Sequence, residues 1–227
     1  MKALLIPGTL YHVYNHAVGS DNLFRHPDDY IRFLTTLPYY TRYFCDVHAY
    51  CLMPNHMHLL IRVCGRDELM RRAMHEHIDR LKRIDKTRFL SEEEVSRFMS
   101  VSLGRAFSSH AQYINRRYDR MGNLFISNFK RKPITDEAYY RNVVKYIHRN
   151  PVHHGFTDAM SDWAYSSYLS LRFMPEDERR QSEVMMNFGG FASFVQSHED
   201  AISGTDFHPD FKFEPKPKKD ASAEDNE

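Results

Sequence analysis

The stretch from Cys45 to Val63 constrains this chain most: it reads as two strands joined by a turn, with a histidine pair on the second. Cys45 to Met53 is rich in strand formers, Pro54-Asn55 is turn chemistry, and His56 to Val63 returns as a strand. Side chains alternate along a strand, so His56 and His58, in the run Tyr50-Cys-Leu-Met-Pro-Asn-His-Met-His-Leu-Leu-Ile-Arg62, share one face. Two neutral imidazole nitrogens aimed at one point suit a divalent metal. A pair alone is an incomplete site, so the fold must bring other groups to that face.

The flanking patterns supply elements for such a fold. Tyr11 to Val18 alternates as a strand, and Gly19-Ser-Asp-Asn22 follows as a turn. Asp28 to Tyr43 has helical spacing, with Pro27 and Asp28 suited to its start and Pro38 expected to disturb its last turn. Residues 66–100 are charged and helical in periodicity, without a chemical signature. Ser102 to Tyr118 reads as an amphipathic helix through Leu103, Phe107, Ala111 and Ile114. Gly122 to Phe129 is a turn leading into an extended apolar segment. Thr135 or Asp136 starts a further helix, which Pro151 is expected to end at about Asn150.

Hydrophobic residues make up 42% and charged residues 27% of 227, which reads as one good-sized globular domain with appendages. No apolar run approaches the ~20 residues of a membrane helix, and Met1 to Pro7 is too short for a signal segment, so no membrane partner is expected. Three cysteines, Cys45, Cys51 and Cys64, without a CxxC pair fit a reducing cytoplasm. The net charge of +1 hides an asymmetry: residues 101–150 carry ten Lys/Arg against three acids, whereas 151–204 and 205–227 are net acidic. A basic block of this kind is either a footprint for phosphates or a solvated helix face.

The helix after Asp136 carries Tyr139, Tyr140 and Tyr146, then Asn150. Tyr146 and Asn150 are one turn apart on one face. A phenol beside a carboxamide makes sense if Asn150 supplies an oxygen ligand to a metal held by His56 and His58. Tyr146 would then present its hydroxyl to whatever that metal polarises.

His-hydrophobic-His on a strand followed by a helix with Tyr-x-x-x-Asn resembles the single-tyrosine HUH transposases of insertion sequences. Met53-Pro-Asn-His-Met-His58, Gly122-Asn-Leu-Phe125, Tyr146-Ile-His-Arg-Asn-Pro-Val152 and Ser161-Asp-Trp-Ala-Tyr-Ser-Ser-Tyr168 resemble its REP-associated tyrosine transposase branch, over roughly residues 10–170. The resemblance implies an α+β, ferredoxin-like antiparallel sheet with helices on one face, plus a C-terminal helical extension. It implies His56, His58 and Asn150 as ligands of Mg²⁺ or Mn²⁺, although two nitrogens and one oxygen also suit Zn²⁺. It implies Tyr146 as the nucleophile on single-stranded DNA with hairpin elements, through a 5′-phosphotyrosine. Arg116, Arg117, Arg120, Lys130, Arg131 and Lys132 become candidate phosphate contacts. A monomer or a homodimer is compatible with the family.

Two other functions stay open: a domesticated hairpin-binding protein without transposition activity, and a metal-dependent hydrolase using a metal-bound water. His12, His16 and His48 sit in expected strands, and a structural role is expected for His48. His153 and His154 are expected at the surface or facing DNA, His148 is not expected to be the base, and Trp163, Tyr165 and Tyr168 are expected as core or docking aromatics. The expected organisation is a catalytic domain over 1–170 with a helical insertion at about 66–100, a helical extension over 171–204, and a disordered charged tail over 205–227.

Overall fold

A computed structural model describes residues 3–75, 91–126 and 128–203. The expected disordered tail over 205–227 lies outside them, as does part of the 66–100 segment. Four strands form one sheet: β1 (Leu10–His16), β2 (Cys45–Leu52), β3 (His56–Val63) and β4 (Lys130–Pro133). Their order is β2-β3-β1-β4, and every neighbouring pair is antiparallel. Helix α1 (Pro27–Thr41) connects β1 to β2; α2 (Arg66–His75) and α3 (Glu92–Arg117) lie between β3 and β4. Helix α4 (Glu137–His153) follows β4, and among the described residues after it are four more α-helices: α5 (Tyr168–Arg172), α6 (Glu176–Gln181), α7 (Glu183–Asn187) and α8 (Phe191–Ser203). The β-α-β-β-α-β order with this strand arrangement is ferredoxin-like, as expected.

The helices cover both faces of the sheet, which corrects the expectation of one. Met57, Leu59, Ile61 and Val63 point one way from β3, with Tyr11 and Val13 of β1, into a core built with α1 and α3. Leu60 points the other way and joins Ala49 and Cys51 against Val143, Val144 and Ile147 of α4. Seven of the eight β3 residues are buried, as a strand covered on both sides requires. A bulge between Val47 and Ala49 shifts the alternation along β2, so that Ala49 and Cys51 turn toward α4.

Prolines end two helices less abruptly than their sequence suggests. Helix α1 continues through Pro38 to Thr41, and its cap N–H from Arg42 reaches the Pro38 carbonyl at 2.9 Å. Helix α4 likewise runs through Pro151 to His153. A proline in the last turn removes one hydrogen bond where the ladder is already ending. The Asn150 and Pro151 carbonyls accept instead from the His154 and Phe156 N–H groups, at 3.0 and 2.9 Å. Helix α3 begins ten residues before Ser102, behind a capping box of Ser91 and Glu94. Strand β4 is the basic run Lys130-Arg-Lys132 with Pro133, one step beyond the apolar segment.

Segments beyond residue 170 pack on α4. Leu171, Val184, Met185, Phe188 and Phe194 are buried in the same core as Tyr140 and Ile147. No described helix is long and apolar enough to cross a membrane.

Candidate active site

The face of the sheet toward α4 is lined at one end by imidazoles. On β1, the residues that share this face are His12, Tyr14 and His16, and they stand opposite Leu60, His58 and His56 of β3. This register makes a four-histidine cluster from two strands. The His16 ring stacks on His56 at 4.8 Å, and the His12 ring stacks on His58 at 5.1 Å. His56 and His58 meet edge to face at 5.3 Å. Sequence reasoning did not join β1 to the site: period-two alternation marks His12 and His16 as one face, but only the register says which residues they meet.

Helix α4 closes the site from above. The Tyr146 ring stands edge-on to His58 at 5.4 Å and to His12 at 5.9 Å. Asn150, one turn on, is 1% exposed. Its Nδ2 donates to the Tyr146 carbonyl at 2.9 Å. Because α4 continues past Pro151, His154 falls a further turn along on this face, with its ring 4.7 Å from His56. His154, expected at the surface or facing DNA, is thus half-buried at the edge of the site, and the cause is the helix that Pro151 fails to stop.

Hydrogen bonds fix how the two β3 histidines present themselves. His56 Nδ1 lies 2.7 Å from Asn55 Oδ1, an acceptor, so Nδ1 carries the proton and Nε2 keeps its lone pair. His58 Nδ1 meets His12 Nε2 at 2.9 Å, while His58 Nε2 is buried with no hydrogen-bond partner. Asn150 Oδ1 is buried and unpartnered as well. Two buried polar atoms without partners are costly unless a ligand is meant to satisfy them. Burial holds His56 and His12 down to a pKa of about 3 and holds His58 well below its ordinary value, with neighbouring histidines adding to the effect at His56 and His58. The adjacent Asn150 carboxamide works against this shift at His56. All three rings are neutral at physiological pH, the form in which imidazole binds a metal. The donor set and the orphaned atoms fit a divalent cation.

Among the described residues, Asp46, Cys64 and Glu68 are a group with ligand spacing. Its carboxylates are already taken: Arg72 bridges Asp46 and Glu68, and Arg62 reaches Asp46 at 2.7 Å. Burial also raises the Cys64 thiol to about 11. This group is an ion-pair network between strand and helix.

The six basic candidates divide by environment. Lys130 and Lys132 stand opposite Tyr14 and His12 on the site face of the sheet. Lys130 Nζ is 5.8 Å from the Tyr14 ring centre, and Lys132 adds to the electrostatic depression of His12. Arg131 alternates to the other face, where it bonds to the Ala3 carbonyl and to Ser100 Oγ. Arg117 is paired with Asp28 at 3.0 Å and Arg120 with Asp21 at 2.6 Å. Arg116 is exposed and bonds only weakly to the Gln112 carbonyl, at 3.4 Å. His48 bonds to Tyr140 Oη at 3.0 Å and pairs with Glu183, a structural position. Trp163 donates to the Leu52 carbonyl at 2.9 Å, and Tyr165 stacks on Tyr30 at 3.7 Å.

Fold and site together define a class: a ferredoxin-like sheet with a His-x-His strand facing a tyrosine–asparagine helix. No family model matches the chain. A curated relative, "Putative REP-associated tyrosine transposase" of Haemophilus influenzae (strain ATCC 51907 / DSM 11121 / KW20 / Rd), is 27% identical over 134 residues, or 57% of this chain. The chain spans 64% of that relative's length. A solved structure of a REP-associated tyrosine transposase bound to a REP hairpin is 19% identical, with a TM-score of 0.48 over 75% of this chain and 82% of that one. The curated relative bears the name of the branch that the motifs resemble.

Proposed function

We propose that this chain binds hairpin-forming single-stranded DNA and cleaves and rejoins it through Tyr146. The observation that carries the reading is the Tyr146 ring 5.4 Å from His58, with His58 Nε2 and Asn150 Oδ1 both buried and without a hydrogen-bond partner.

His56, His58 and Asn150 would hold Mg²⁺ or Mn²⁺, which when bound supplies positive charge to a non-bridging oxygen of the scissile phosphate. Tyr146 Oη attacks phosphorus in line, losing its proton, while the bond from phosphorus to the 3′ oxygen breaks and that oxygen is protonated. The products are a 5′-phosphotyrosine and a free 3′-OH. A second 3′-OH reverses the step on a new strand, so the phosphodiester is exchanged rather than hydrolysed. Helix α4 contributes orientation: it fixes the ring of Tyr146 against His58 before DNA arrives. Lys130 and Lys132 contribute a positive rim on the same face, where the DNA backbone would lie.

The test is a covalent-adduct gel with single-stranded hairpin oligonucleotides and Mn²⁺. Wild-type protein should shift by the mass of the bound strand, and Tyr146→Phe should give no shift. Cleavage that persists in Tyr146→Phe would instead support attack by a metal-bound water. Hairpin binding with no cleavage by wild type would support a domesticated binder.

A further inference from the structure

A second polar cluster lies behind α4, away from the site, and joins it to the C-terminal helix. His148 and His198 are both 0% exposed, and Ser167 is 5% exposed. His198 Nδ1 is 2.8 Å from the Phe194 carbonyl, His198 Nε2 is 2.9 Å from His148 Nδ1, and His148 Nε2 is 2.8 Å from Ser167 Oγ. Ser167 Oγ accepts in turn from the Tyr50 N–H at 2.9 Å, on β2.

The chain of bonds has one polarity. A carbonyl can only accept, so His198 Nδ1 carries the proton. Burial holds His198 down to about 4 and His148 well below its ordinary value, so both rings are neutral with one N–H each. His198 Nε2 is therefore an acceptor, His148 Nδ1 donates to it, and His148 Nε2 accepts from the Ser167 hydroxyl. Every ring nitrogen of the two histidines is used. A directional network of this kind fixes a unique arrangement of the elements it joins.

Its position gives it consequence. His148 is two residues from Tyr146 and two from Asn150, about 200° round the helix from both. Tyr146 and Asn150 face the imidazole cluster, so His148 holds α4 from the opposite side. Arg141 of α4 adds a second tie, to the Asn187 carbonyl at 3.0 Å. The segments that supply His198 and Asn187 lie beyond the sheet and its covering helices.

We infer that His198 is a positioning residue, through which α8 sets the placement of Tyr146 by way of His148 and Ser167. This rests on the reading of Tyr146 as the nucleophile. His198→Phe keeps a ring among Phe188, Phe194 and Tyr168 but leaves the His148 Nδ1–H without an acceptor. His198→Gln restores an acceptor, and Ser167→Ala breaks the other end with little change in volume. The assays are single-turnover adduct formation on saturating hairpin oligonucleotide with Mn²⁺, hairpin affinity, and amide exchange over α4. The expected result for His198→Phe is hairpin affinity within about twofold of wild type, adduct formation slowed about tenfold, and Val144–Asn150 amides exchanging about tenfold faster. His198→Gln should recover most of both losses. Should His198→Phe not fold, Ser167→Ala carries the same expectation. A folded variant with wild-type exchange and a wild-type adduct rate overturns this inference alone, as does faster exchange with an undiminished rate. Failure of the wild-type protein to form any adduct overturns the nucleophile reading on which it stands.

Discussion

His12 Nε2 lies 2.9 Å from His58 Nδ1, so a histidine of β1 is the hydrogen-bond partner of a histidine of β3. For His58 Nε2 to bind a cation through its lone pair, the proton must sit on Nδ1 and point at His12. His12 then accepts through Nε2 and holds its own proton on Nδ1. Such outer partners fix the ring and its tautomer, and losing one typically costs about 10–100-fold in metal affinity. His12→Leu should therefore weaken Mn²⁺ binding by that factor in calorimetry while the protein remains folded. Unchanged affinity would mean that His58 needs no such support.

The basic residues should separate in a salt titration. Lys130 and Lys132 face the site from the sheet edge, and Arg131, between them, faces the other core. Each lysine that neutralises a phosphate should lower the slope of log affinity against log salt by ~0.7 for single strands or ~0.9 for duplex. Lys130→Ala and Lys132→Ala should each flatten that slope for a hairpin oligonucleotide. Arg131→Ala should leave it unchanged and instead lower the thermal midpoint, because it removes the bonds to Ser100 and the Ala3 carbonyl.

Acid sensitivity should come from buried neutral histidines, and His110 isolates the effect because it lies in the core of the opposite face. Its Nε2–H donates to the Leu23 carbonyl at 2.8 Å, and its ring sits 4.8 Å from Phe24. Burial lowers it from the ordinary 6.5 to about 4. The unfolded chain therefore takes up a proton that the folded one refuses. That depressed pKa leaves stability intact above about 6.5 and erodes it as pH falls toward about 4, by at most ~1.4 kcal/mol per pH unit for this one group. Below about 4 both states are protonated and the loss stops growing. In urea denaturation between pH 7 and pH 4, His110→Phe should start less stable, having orphaned the Leu23 carbonyl, yet fall less steeply with acid. An identical slope would show that His110 does not titrate in this range.

The β2–β3 hairpin and its histidine pair were legible because alternation and Pro54-Asn55 are local signals. The same holds for Tyr146 and Asn150, whose spacing of four is a helical fact. What the sequence hid were matters of register and context. Strand β4 is an edge strand, and Lys130-Arg-Lys-Pro133 is what an edge carries to discourage further pairing, so it reads as a charged run. Which β2 residues face α4 depends on a bulge that no spacing announces. His154 was hidden by Pro151, which reads as a stop but falls where the helix ladder is already running out. His198 lies 50 residues from His148, and only the packing of α8 brings them together.

Asn150 should show most sharply that its site is shaped for a ligand rather than for the fold. Its Oδ1 is buried without a partner, which costs a protein of ordinary design ~1–3 kcal/mol. Asn150→Leu removes that acceptor together with the bond from Nδ2 to the Tyr146 carbonyl, a bond worth ~1 kcal/mol that the helix ladder can replace. In metal-free buffer the variant should thus unfold at the same temperature as wild type or higher. Added Mn²⁺ should reverse the order. A cation bound only by the folded state stabilises it by ~2.7 kcal/mol at a hundred times its dissociation constant, and the leucine would forfeit most of that. The measurement is a pair of thermal melts, with chelator and with excess Mn²⁺, for both proteins. Crossing midpoints assign Asn150 Oδ1 to the metal; a variant less stable than wild type by the same margin in both conditions assigns Asn150 to the helix end alone.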